Sequence, residues 1–526
     1  MATNAKKSPQ RPELVFGLVG AAGTRLEDLS AEIKKELTTF GYEVTDIRLS
    51  DLFVNFSGWN EQQEPSEAAR IRHLQAMGNA LRRGLADKAA VARAAIAAVR
   101  DRRKGCSGNP DVPAFGRAYI LHQLKRPEEV DLLRRVYGSS FLLVAGHAPE
   151  ESRLMELASR MARKDCRPGE EAHFKASAHT IMEIDENEDD EFGQNTRDTY
   201  PKADFFANLG VARGEYEVRR FVDLLFGHPF ITPSPEEYAM YQASAVSLRS
   251  SDGSRQVGAA IVSLTHDPRE RDRITNADVI AVGMNEVPRG GGGFYWDKSS
   301  PDHRDQALLR DRHENRAKEI KIGALAELIK KMYAKGWLDG RFPPNRETDL
   351  ARELVEDLKR TQFMDIGEFS RVVHAEMAAL IDGARRGVAV NGQTMYVTTF
   401  PCHNCAKHII AAGLRKVVFL EPYPKSRAGH LHQEEIKIEP IDGREEDNKV
   451  VFVAFSGVGP RQYQQVFSMS ERSTKKGPSV EEWEASRHSL SPLYVIRDAS
   501  LAYLAAERRE LEELTKEVYH WDRLVT

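Results

Sequence analysis

The stretch HAEMAALIDGARRGVAVNGQTMYVTTFPCHNC, from His374 to Cys405, decides the fold of the second half of the chain. A helical run follows the histidine, Asn391-Gly392 predicts a turn, and the β-rich run over Thr394–Thr399 predicts a strand. A second helical run follows the strand. This α-β-α order predicts that the two helix starts lie side by side.

One histidine and two cysteines of this stretch form a candidate metal site. Cys402 and Cys405 stand three residues apart, which places both sulfurs on one face of a helix, and Pro401 is predicted as the first residue of that helix. The positive end of a helix lowers thiol pKa values and favours the metal-binding thiolate. His374 would supply the third ligand. Three protein ligands leave one position of zinc for water, as in catalytic rather than structural sites.

Glu376 follows the histidine by two residues and is not needed as a ligand. It can therefore take a proton from water and return it to a substrate. A lone C-x-x-C is often half of a structural zinc site, but the His-x-Glu run begins 28 residues earlier (402 − 374) and favours catalysis. The combined pattern is typical of zinc deaminases that act on nucleobases. The predicted cofactor is one catalytic Zn²⁺.

The residues around these motifs resemble the deoxycytidylate deaminase family over about residues 238–424. The similar segments are SLRSSDGSRQVGAAIVS, VIAVGMNEVP and PCHNCAKHIIAAGLRKVVFLEPYP. The resemblance implies hydrolytic loss of ammonia from a cytosine ring, with Glu376 as the catalytic residue. It also implies substrate binding by Ala375 and by Asn285, whose counterpart in the family contacts the sugar. A plain turn residue is the alternative for Asn285.

The whole chain, with a kinase-like first half and a long insertion before the histidine motif, resembles the bacterial anti-phage dCTP deaminases. That resemblance implies deamination of free deoxycytidine nucleotides, dCTP above all and dCMP as the other candidate, which depletes dCTP during infection. A homo-oligomer is also expected by resemblance. Two alternatives stay open: a polynucleotide cytosine deaminase, and a non-catalytic zinc-stabilised nucleotide-sensing module.

Composition and charge favour free nucleotides as partners. The chain has 526 residues, which predicts about two to four domains. Its 75 basic and 79 acidic side chains give a formal charge of -4, so no stable nucleic-acid partner is expected. The sequence has no secretory signal pattern and no run of membrane-spanning length, which predicts a cytoplasmic protein without a membrane partner. Cys106 and Cys166 are predicted to be ordinary thiols.

The first ordered element of the N-terminal half is the apolar run LVFGLVG, predicted as a buried strand over Leu14–Val19. A glycine loop, a helical run and a second β-rich run follow, an order found in phosphate-binding domains and similar to the layout of nucleotide kinases. The loop is a degenerate P-loop, because Thr24-Arg25 replaces the expected Lys and Ser/Thr. Gly20, Gly23 and Thr24 are candidate nucleotide-binding residues. Nucleotide binding or sensing, a vestigial scaffold and an active kinase stay open for this half.

The predicted fold class is α/β, with an N-terminal P-loop-kinase-like doubly wound domain and a cytidine-deaminase-like α/β/α domain. The predicted limits are a disordered N terminus over 1–12, a degenerate kinase-like domain over 13–230, a zinc-dependent deaminase domain over 231–470 with a helical insertion over about 297–370, and a helical C-terminal tail over 471–526. Three prolines in HPFITPSP mark the central boundary.

Two further stretches carry predictions. The acidic run DENEDDEF, Asp185–Phe192, lacks the glycine of a calcium-binding loop and is predicted to be a solvated loop. The glycine-rich run 289–293 and the aromatic residues after it could approach phosphates and close on a base, or could be a hinge into the insertion. Charge and sequence position make five side chains candidate triphosphate contacts: Arg255, Arg289, Lys298, Lys425 and Arg427.

Overall fold

The computed structural model describes residues 11–53, 64–186, 188, 190–209, 214–266, 269, 274–297, 301–312, 315–338, 346–358, 370–422, 426–440, 448–469, 472, 479–493 and 502–521. The predicted disordered N terminus, residues 1–12, lies outside this part of the chain except for its last two residues. The chain divides into two compact units. The first contains Met1–Tyr241, Val418–Pro424 and Glu434–Thr526, and the second contains Gln242–Val417 and Lys425–Gln433.

Strands and helices alternate along the first half of the chain, and elements of both kinds continue through the second half. The strands are β1 (Leu14–Val19), β2 (Glu43–Arg48), β3 (Arg117–His122), β4 (Phe141–His147), β5 (Phe205–Asn208), β6 (Gly258–His266), β7 (Ile274–Met284), β8 (Thr394–Thr399), β9 (Lys416–Glu421), β10 (Ile436–Ile438), β11 (Val450–Ala454) and β12 (Gly457–Val458). The helices are α1 (Leu26–Thr39), α2 (Glu67–Gly84), α3 (Ala90–Ser107), α4 (Pro127–Tyr137), α5 (Glu150–Lys164), α6 (Glu171–Glu186), α7 (Thr196–Thr199), α8 (Gly214–Leu225), α9 (Pro235–Ser247), α10 (Asp305–Arg312), α11 (Arg316–Ala334), α12 (Glu347–Asp357), α13 (Ala375–Arg386), α14 (His403–Ala411), α15 (Ala428–Leu431), α16 (Pro460–Phe467), α17 (Val480–Ala485) and α18 (Ala502–Trp521).

A six-stranded sheet forms the centre of the first unit, in the order β12-β5-β4-β1-β3-β2. Its neighbouring strands are parallel except β12, which runs antiparallel to β5. The strand predicted over Leu14–Val19 is confirmed as β1, and all six of its residues are buried. Burial on both faces is expected of a parallel strand that helices cover on either side.

The core of the first unit lies between this sheet and its helices. Leu14, Phe16 and Leu18 face one side of the sheet and pack in one hydrophobic cluster with residues of α1 and α8. Val15 and Val19 face the other side and are also buried. The predicted α/β class is therefore confirmed for this unit, while its kinship with P-loop kinases stays a prediction.

A buried charge cluster joins α3 to the start and the end of the chain within the first unit. Arg103 is 0% exposed, its Nε lies 2.9 Å from Glu13 Oε2, and its Nη1 and Nη2 lie 2.7 and 2.8 Å from the two oxygens of Glu507 in α18. The hydroxyl of Tyr503 donates a further hydrogen bond to Glu13. Such a cluster is favourable only while every charge is paired, because each charge is removed from water.

Arg103→Leu is expected to destabilise the first unit by about 3–5 kcal/mol, because it removes the cation beside the buried Glu13 and leaves Glu507 with only the longer ion pair to Arg100. Chemical denaturation followed by circular dichroism measures this change. Arg117→Leu is the matched control, since its ion pair with Glu43 is much more exposed and is worth about 1 kcal/mol or less. Equal destabilisation by the two substitutions would contradict the importance of the buried cluster.

The second unit contains an antiparallel hairpin, β6 and β7, and β8 pairs with the other edge of β6. The strand predicted over Thr394–Thr399 is confirmed as β8. Ala259 lies opposite Gly283 of β7 on one side and opposite Val397 of β8 on the other. Helix α13 packs on β7 and β6.

The insertion before the histidine motif is helical where the structure describes it, as predicted. Helices α11 and α12 pack against each other through five buried aliphatic residues: Ile322, Leu325, Ile329, Ala351 and Val355. Among the described helices, none combines the length and the apolar character that crossing a lipid bilayer requires.

Candidate active site

Two helix starts of the second unit bring the predicted metal ligands together. His374 is the residue before α13, Cys402 is the residue before α14, and Cys405 lies in the first turn of α14. The prediction that Pro401 is the first helical residue is wrong, because α14 begins at His403. The extended backbone of Cys402 (φ -67°, ψ 163°) instead turns the chain into the helix, so both sulfurs lie at its amino end.

The three donor atoms are close enough to hold one ion. His374 Nδ1 lies 3.4 Å from the Sγ atoms of both Cys402 and Cys405, and all three donor atoms lie within 4.8 Å of one another. Zinc bond lengths and a tetrahedral angle give a nitrogen–sulfur separation of about 3.5 Å. Among the described histidine, cysteine and carboxylate side chains, these three are the group able to share a metal ion. The donor set fits zinc.

The protonation states of Cys402 and Cys405 also favour the binding of a metal cation. The hydrogen bond with the Cys405 thiol, followed by that with His374, lowers the pKa of Cys402 to about 4, although burial acts in the opposite direction. The pKa of Cys405 is raised, first by its hydrogen bond with Cys402 and then by burial. One sulfur of the pair is thus already an anion at neutral pH, and the thiolate is the form that binds metals.

Glu376 lies in the first turn of α13, beside the ligands but outside their set. Its side chain is buried, with the residue 4% exposed. Burial, followed by the nearby charge of Cys402, raises the pKa of Glu376 to about 7. A carboxyl group with this pKa can both accept and release a proton near neutral pH, which is what a general acid–base requires.

Comparison with known proteins shows which family the region around this site resembles. The family described as "Cytidine and deoxycytidylate deaminase zinc-binding region" matches residues 233–421, which include His374, Cys402, Cys405 and Glu376. This region of the chain is therefore similar to the cytidine and deoxycytidylate deaminases.

Similarity to individual deaminases is confined to short segments. The deoxycytidylate deaminase of Enterobacteria phage T2 is 46% identical over 57 residues, 11% of this chain and 30% of the phage protein. The human deoxycytidylate deaminase is 42% identical over 53 residues, 10% of this chain and 29% of the human protein. The chain thus spans about a third or less of these relatives' length. A solved dCMP deaminase from cyanophage S-TIM5 is 17% identical, with a TM-score of 0.21, over 42% of this chain and 99% of the phage protein.

The deaminase region needs a glycine where α13 meets β7. A Cβ atom on Gly283 would lie 2.2 Å from Ala379 N and 2.3 Å from Ala375 O, closer than real Cβ contacts. The backbone of α13 therefore rests directly on the strand, and this contact positions His374 and Glu376. Ala375, predicted to bind substrate, is fully buried at the start of α13; its substrate contact stays a prediction.

Gly283→Ala is expected to lower zinc retention and to destabilise the second unit by about 1–3 kcal/mol, because α13 must shift to make room for the methyl group. Zinc content after dialysis and thermal unfolding measure the two effects. Gly323→Ala in α11 is the control, since its Cβ would meet nothing within 4 Å. Full zinc retention and unchanged stability in Gly283→Ala would contradict the proposed contact.

Asn285 lies at the end of β7, as predicted, but its amide is used within the loop over residues 252–257. Its Oδ1 accepts a hydrogen bond from Val257 N at 2.7 Å, and its Nδ2 donates to Arg255 O at 2.8 Å and Asp252 Oδ2 at 3.1 Å. These contacts give Asn285 a loop-ordering role, which agrees with the alternative of a turn residue. Its predicted contact with the sugar stays a prediction.

Sequence reasoning missed two arginines beside the glycine-rich loop. Arg249 places its guanidinium 3.5 Å from the ring centroid of Trp296, and Gly292 and Gly293 lie close to Arg385. These groups line a cavity of about 300 Å³ together with Arg289, a predicted phosphate contact. No local pattern marks Arg249 or Arg385, because Arg249 lies in the turn after α9 and Arg385 lies far along the chain in the last turn of α13.

Two other predicted phosphate contacts, Arg255 and Arg427, do not line this cavity. Arg255 contributes its carbonyl oxygen to Asn285, and Arg427 is the residue before α15. Lys298 and Lys425 lie outside the described residues. A role for any of them in phosphate binding stays a prediction.

The loop after β1, which the sequence predicts to be a degenerate P-loop, is hydrogen-bonded to a buried carboxylate. Ala22 N donates to Asp185 Oδ2 at 2.8 Å, and Lys125 forms an ion pair with Asp185 Oδ1. The prediction of a solvated loop is wrong for Asp185, which ends α6 and is 1% exposed, because these two partners replace water around its charge. Gly20, Gly23 and Thr24 lie in the same loop, and the last two line a cavity beside it. Their binding of nucleotide stays a prediction.

Proposed function

We propose that the chain catalyses zinc-dependent hydrolytic deamination of free deoxycytidine nucleotides, with dCTP as the main substrate and dCMP as the other candidate. The observation that carries the proposal is the buried Glu376 carboxyl beside the His374, Cys402 and Cys405 donor atoms. These residues lie within the region that matches the cytidine and deoxycytidylate deaminases. The proposed enzyme is a hydrolase acting on a cyclic amidine C–N bond.

Zinc held by the three donor atoms would lower the pKa of a water molecule that attacks C4 of the cytosine ring. Glu376 accepts the proton that this water loses and gives it to ring N3. In the second half of the reaction, Glu376 takes the remaining hydroxyl proton and gives it to the exocyclic amino group. The C4–N bond then breaks, and the products are ammonia and a uracil ring.

The burial of Glu376 suits both halves of this reaction. Because burial raises the pKa of Glu376 to about 7, the protonated and ionised forms differ little in free energy at neutral pH. The carboxyl can therefore change its protonation state twice in one turnover without a large barrier. The same burial keeps other water molecules away from the proton that it carries.

Charge balance supports free nucleotides over polynucleotides as substrates. A formal charge of -4 provides no general attraction for a phosphate backbone, whereas Arg249, Arg289 and Arg385 beside one cavity could hold the phosphates of a single nucleotide. The polynucleotide alternative is favoured by one observation, the 61% exposed ring of Trp296, on which a base could stack. In a non-catalytic nucleotide-sensing module, Glu376 would have no catalytic role.

We also propose a biological role from the resemblance of the whole chain to anti-phage dCTP deaminases. Conversion of dCTP to its uracil counterpart would remove a precursor of DNA synthesis from an infected bacterium. The proposed setting is the cytoplasm, and the proposed active form is a homo-oligomer. A plating assay with cells that carry the wild-type or the Glu376→Gln chain tests this role, because only the active enzyme should reduce phage yield.

A substrate panel tests the activity. Purified protein is incubated with dCTP, dCMP, CTP, dATP and a cytosine-containing single-stranded oligonucleotide, and ammonia and uracil products are measured. We expect deamination of the deoxycytidine nucleotides, fastest for dCTP. Activity on the oligonucleotide alone would overturn the free-nucleotide proposal. A zinc-loaded protein that is inactive on every compound would favour the sensing module.

A further inference from the structure

A second cavity lies in the first unit, beside the loop that follows β1. Its volume is about 270 Å³, and its walls come from this loop and from helices α2, α5 and α6. Ligand pockets usually measure about 300–1,000 Å³, so this cavity suits a ligand at the small end of that range. A ring system with one sugar is of this size, whereas three added phosphates would extend beyond it.

A carboxylate of the protein occupies the position at which a P-loop normally binds phosphate. Ala22 N of the loop donates to Asp185, and Lys125 pairs with the other oxygen of the same carboxylate. A backbone amide and a lysine ammonium are the groups that usually bind a nucleotide phosphate at such a loop. A phosphate here would have to displace a buried carboxylate or lie next to its negative charge.

The remaining cations around the cavity are also neutralised by acidic side chains. Every arginine and lysine that lines it has a carboxylate oxygen within 4.0 Å, and the pairs are Arg25–Asp28, Arg48–Glu27, Arg70–Glu67, Arg82–Glu129, Lys125–Asp185 and Arg160–Glu67. A site for a polyanion carries uncompensated positive charge. Here five carboxylates pair with six cations, because Arg70 and Arg160 share Glu67, so little positive charge is left for a polyanion.

Three buried polar atoms in the cavity wall are available to hydrogen-bond a ligand. Gln194 Oε1, Gln75 Oε1 and Thr24 Oγ1 are buried and have no hydrogen-bond partner among the described residues. Gln194 is 5% exposed, so bulk water does not compensate its amide. The wall also contains apolar side chains, namely Leu49, Phe53, Ile71, Leu74, Val91, Leu157 and Ile181. Two amide oxygens and a hydroxyl beside these apolar side chains suit a flat heterocycle with N–H groups on its edge.

We infer that this cavity binds an uncharged nucleoside, with its base edge on Gln75 and Gln194, and that it does not bind a nucleoside triphosphate. The size of the cavity, its paired cations and its unpartnered amide oxygens lead to the same ligand class. The site belongs to the first unit and is independent of the proposed deaminase chemistry. The ligand would occupy the place beside the degenerate P-loop without using the loop's phosphate position.

Isothermal titration calorimetry on the full chain tests the inference. The four deoxynucleosides and their triphosphates are titrated into the wild-type protein and into Gln194→Ala. We expect at least one nucleoside to bind, and Gln194→Ala to weaken that binding by about tenfold or more through loss of a buried hydrogen bond. Gln462→Ala, another buried glutamine of the same unit, should leave it unchanged. Because the deaminase site lies elsewhere, only binding that depends on Gln194 is assigned to the cavity.

Asp185→Ala tests whether the Asp185 carboxylate excludes phosphate from this loop. Removing the carboxylate frees the Ala22 amide and the Lys125 ammonium, so triphosphate binding should strengthen by about tenfold or more. If Gln194→Ala does not fold, Gln75→Ala and the wild-type preference for nucleoside over triphosphate decide the question. Two results would overturn the inference: tighter binding of a triphosphate than of its nucleoside to the wild-type cavity, or no Gln194-dependent nucleoside binding up to about 1 mM.

Discussion

Glu376→Gln is expected to lower the turnover number for the preferred deoxycytidine nucleotide by about 10²–10⁴-fold, which is the usual contribution of a positioned general acid–base. The amide fills the same buried space but can neither accept the proton of the attacking water nor pass it on. Zinc content should stay at one ion per chain, because Glu376 is outside the ligand set. Steady-state kinetics and elemental analysis on the same preparation measure the two quantities.

Glu327→Gln is the matched control for this substitution. Glu327 lies in α11 and undergoes the same exchange, but its carboxylate is exposed and pairs with Lys331. We expect its turnover to stay within a few-fold of wild type. If Glu376→Gln keeps full turnover with full zinc, the proton transfer proposed for Glu376 is wrong.

Cys405→Ser is expected to remove both zinc and deaminase activity. Its sulfur is fully buried and lies 3.4 Å from His374 Nδ1, so the hydroxyl that replaces it is a poorer ligand at the centre of the donor set. Since loss of groups that only support a ligand already costs about 10–100-fold in metal affinity, loss of a ligand should exceed this. Dialysis of the wild-type protein against a chelator should give the same inactive state.

Cys106→Ser separates loss of a ligand from loss of a thiol. Cys106 is exposed in the first unit and belongs to no donor group among the described residues. Its replacement should leave zinc content and turnover unchanged. Zinc bound at full stoichiometry by Cys405→Ser would show that the metal is held elsewhere, and the proposed centre would then fail.

The parts of the site that could be predicted from sequence are those encoded by one continuous stretch. His374, Glu376 and the two cysteines lie within 32 residues (405 − 374 + 1), and the strand between the two helices is β8 over the predicted residues. The periodicity of apolar residues and the presence of turn residues are strong signals over such short stretches of sequence. The start of α14 was misplaced by two residues because proline suits both the first helical position and the extended segment before a helix.

The contacts that sequence could not supply join distant parts of the chain. Asp185 accepts a hydrogen bond from Ala22 across 163 positions, and no sequence signal distinguishes it from the other residues of the acidic run. Arg103 and Glu507 are 404 positions apart. Which members of a charged sequence become buried depends on tertiary packing, and no local periodicity records it. The predicted domain limits also depend on tertiary packing that the sequence does not reveal, so they stay predictions.

The ion pairs of Arg103 have a practical consequence for dissecting the chain. Because α18 supplies one of its two carboxylates and β12 completes the edge of the sheet beside β5, residues 1–241 expressed alone would lack two parts of their own fold. A fragment shortened at its C-terminal end would lose the Glu507 partner of Arg103 and would expose the surface of α3 that α18 covers. Experiments that ask what the first unit does by itself therefore have to keep residues from both ends of the polypeptide.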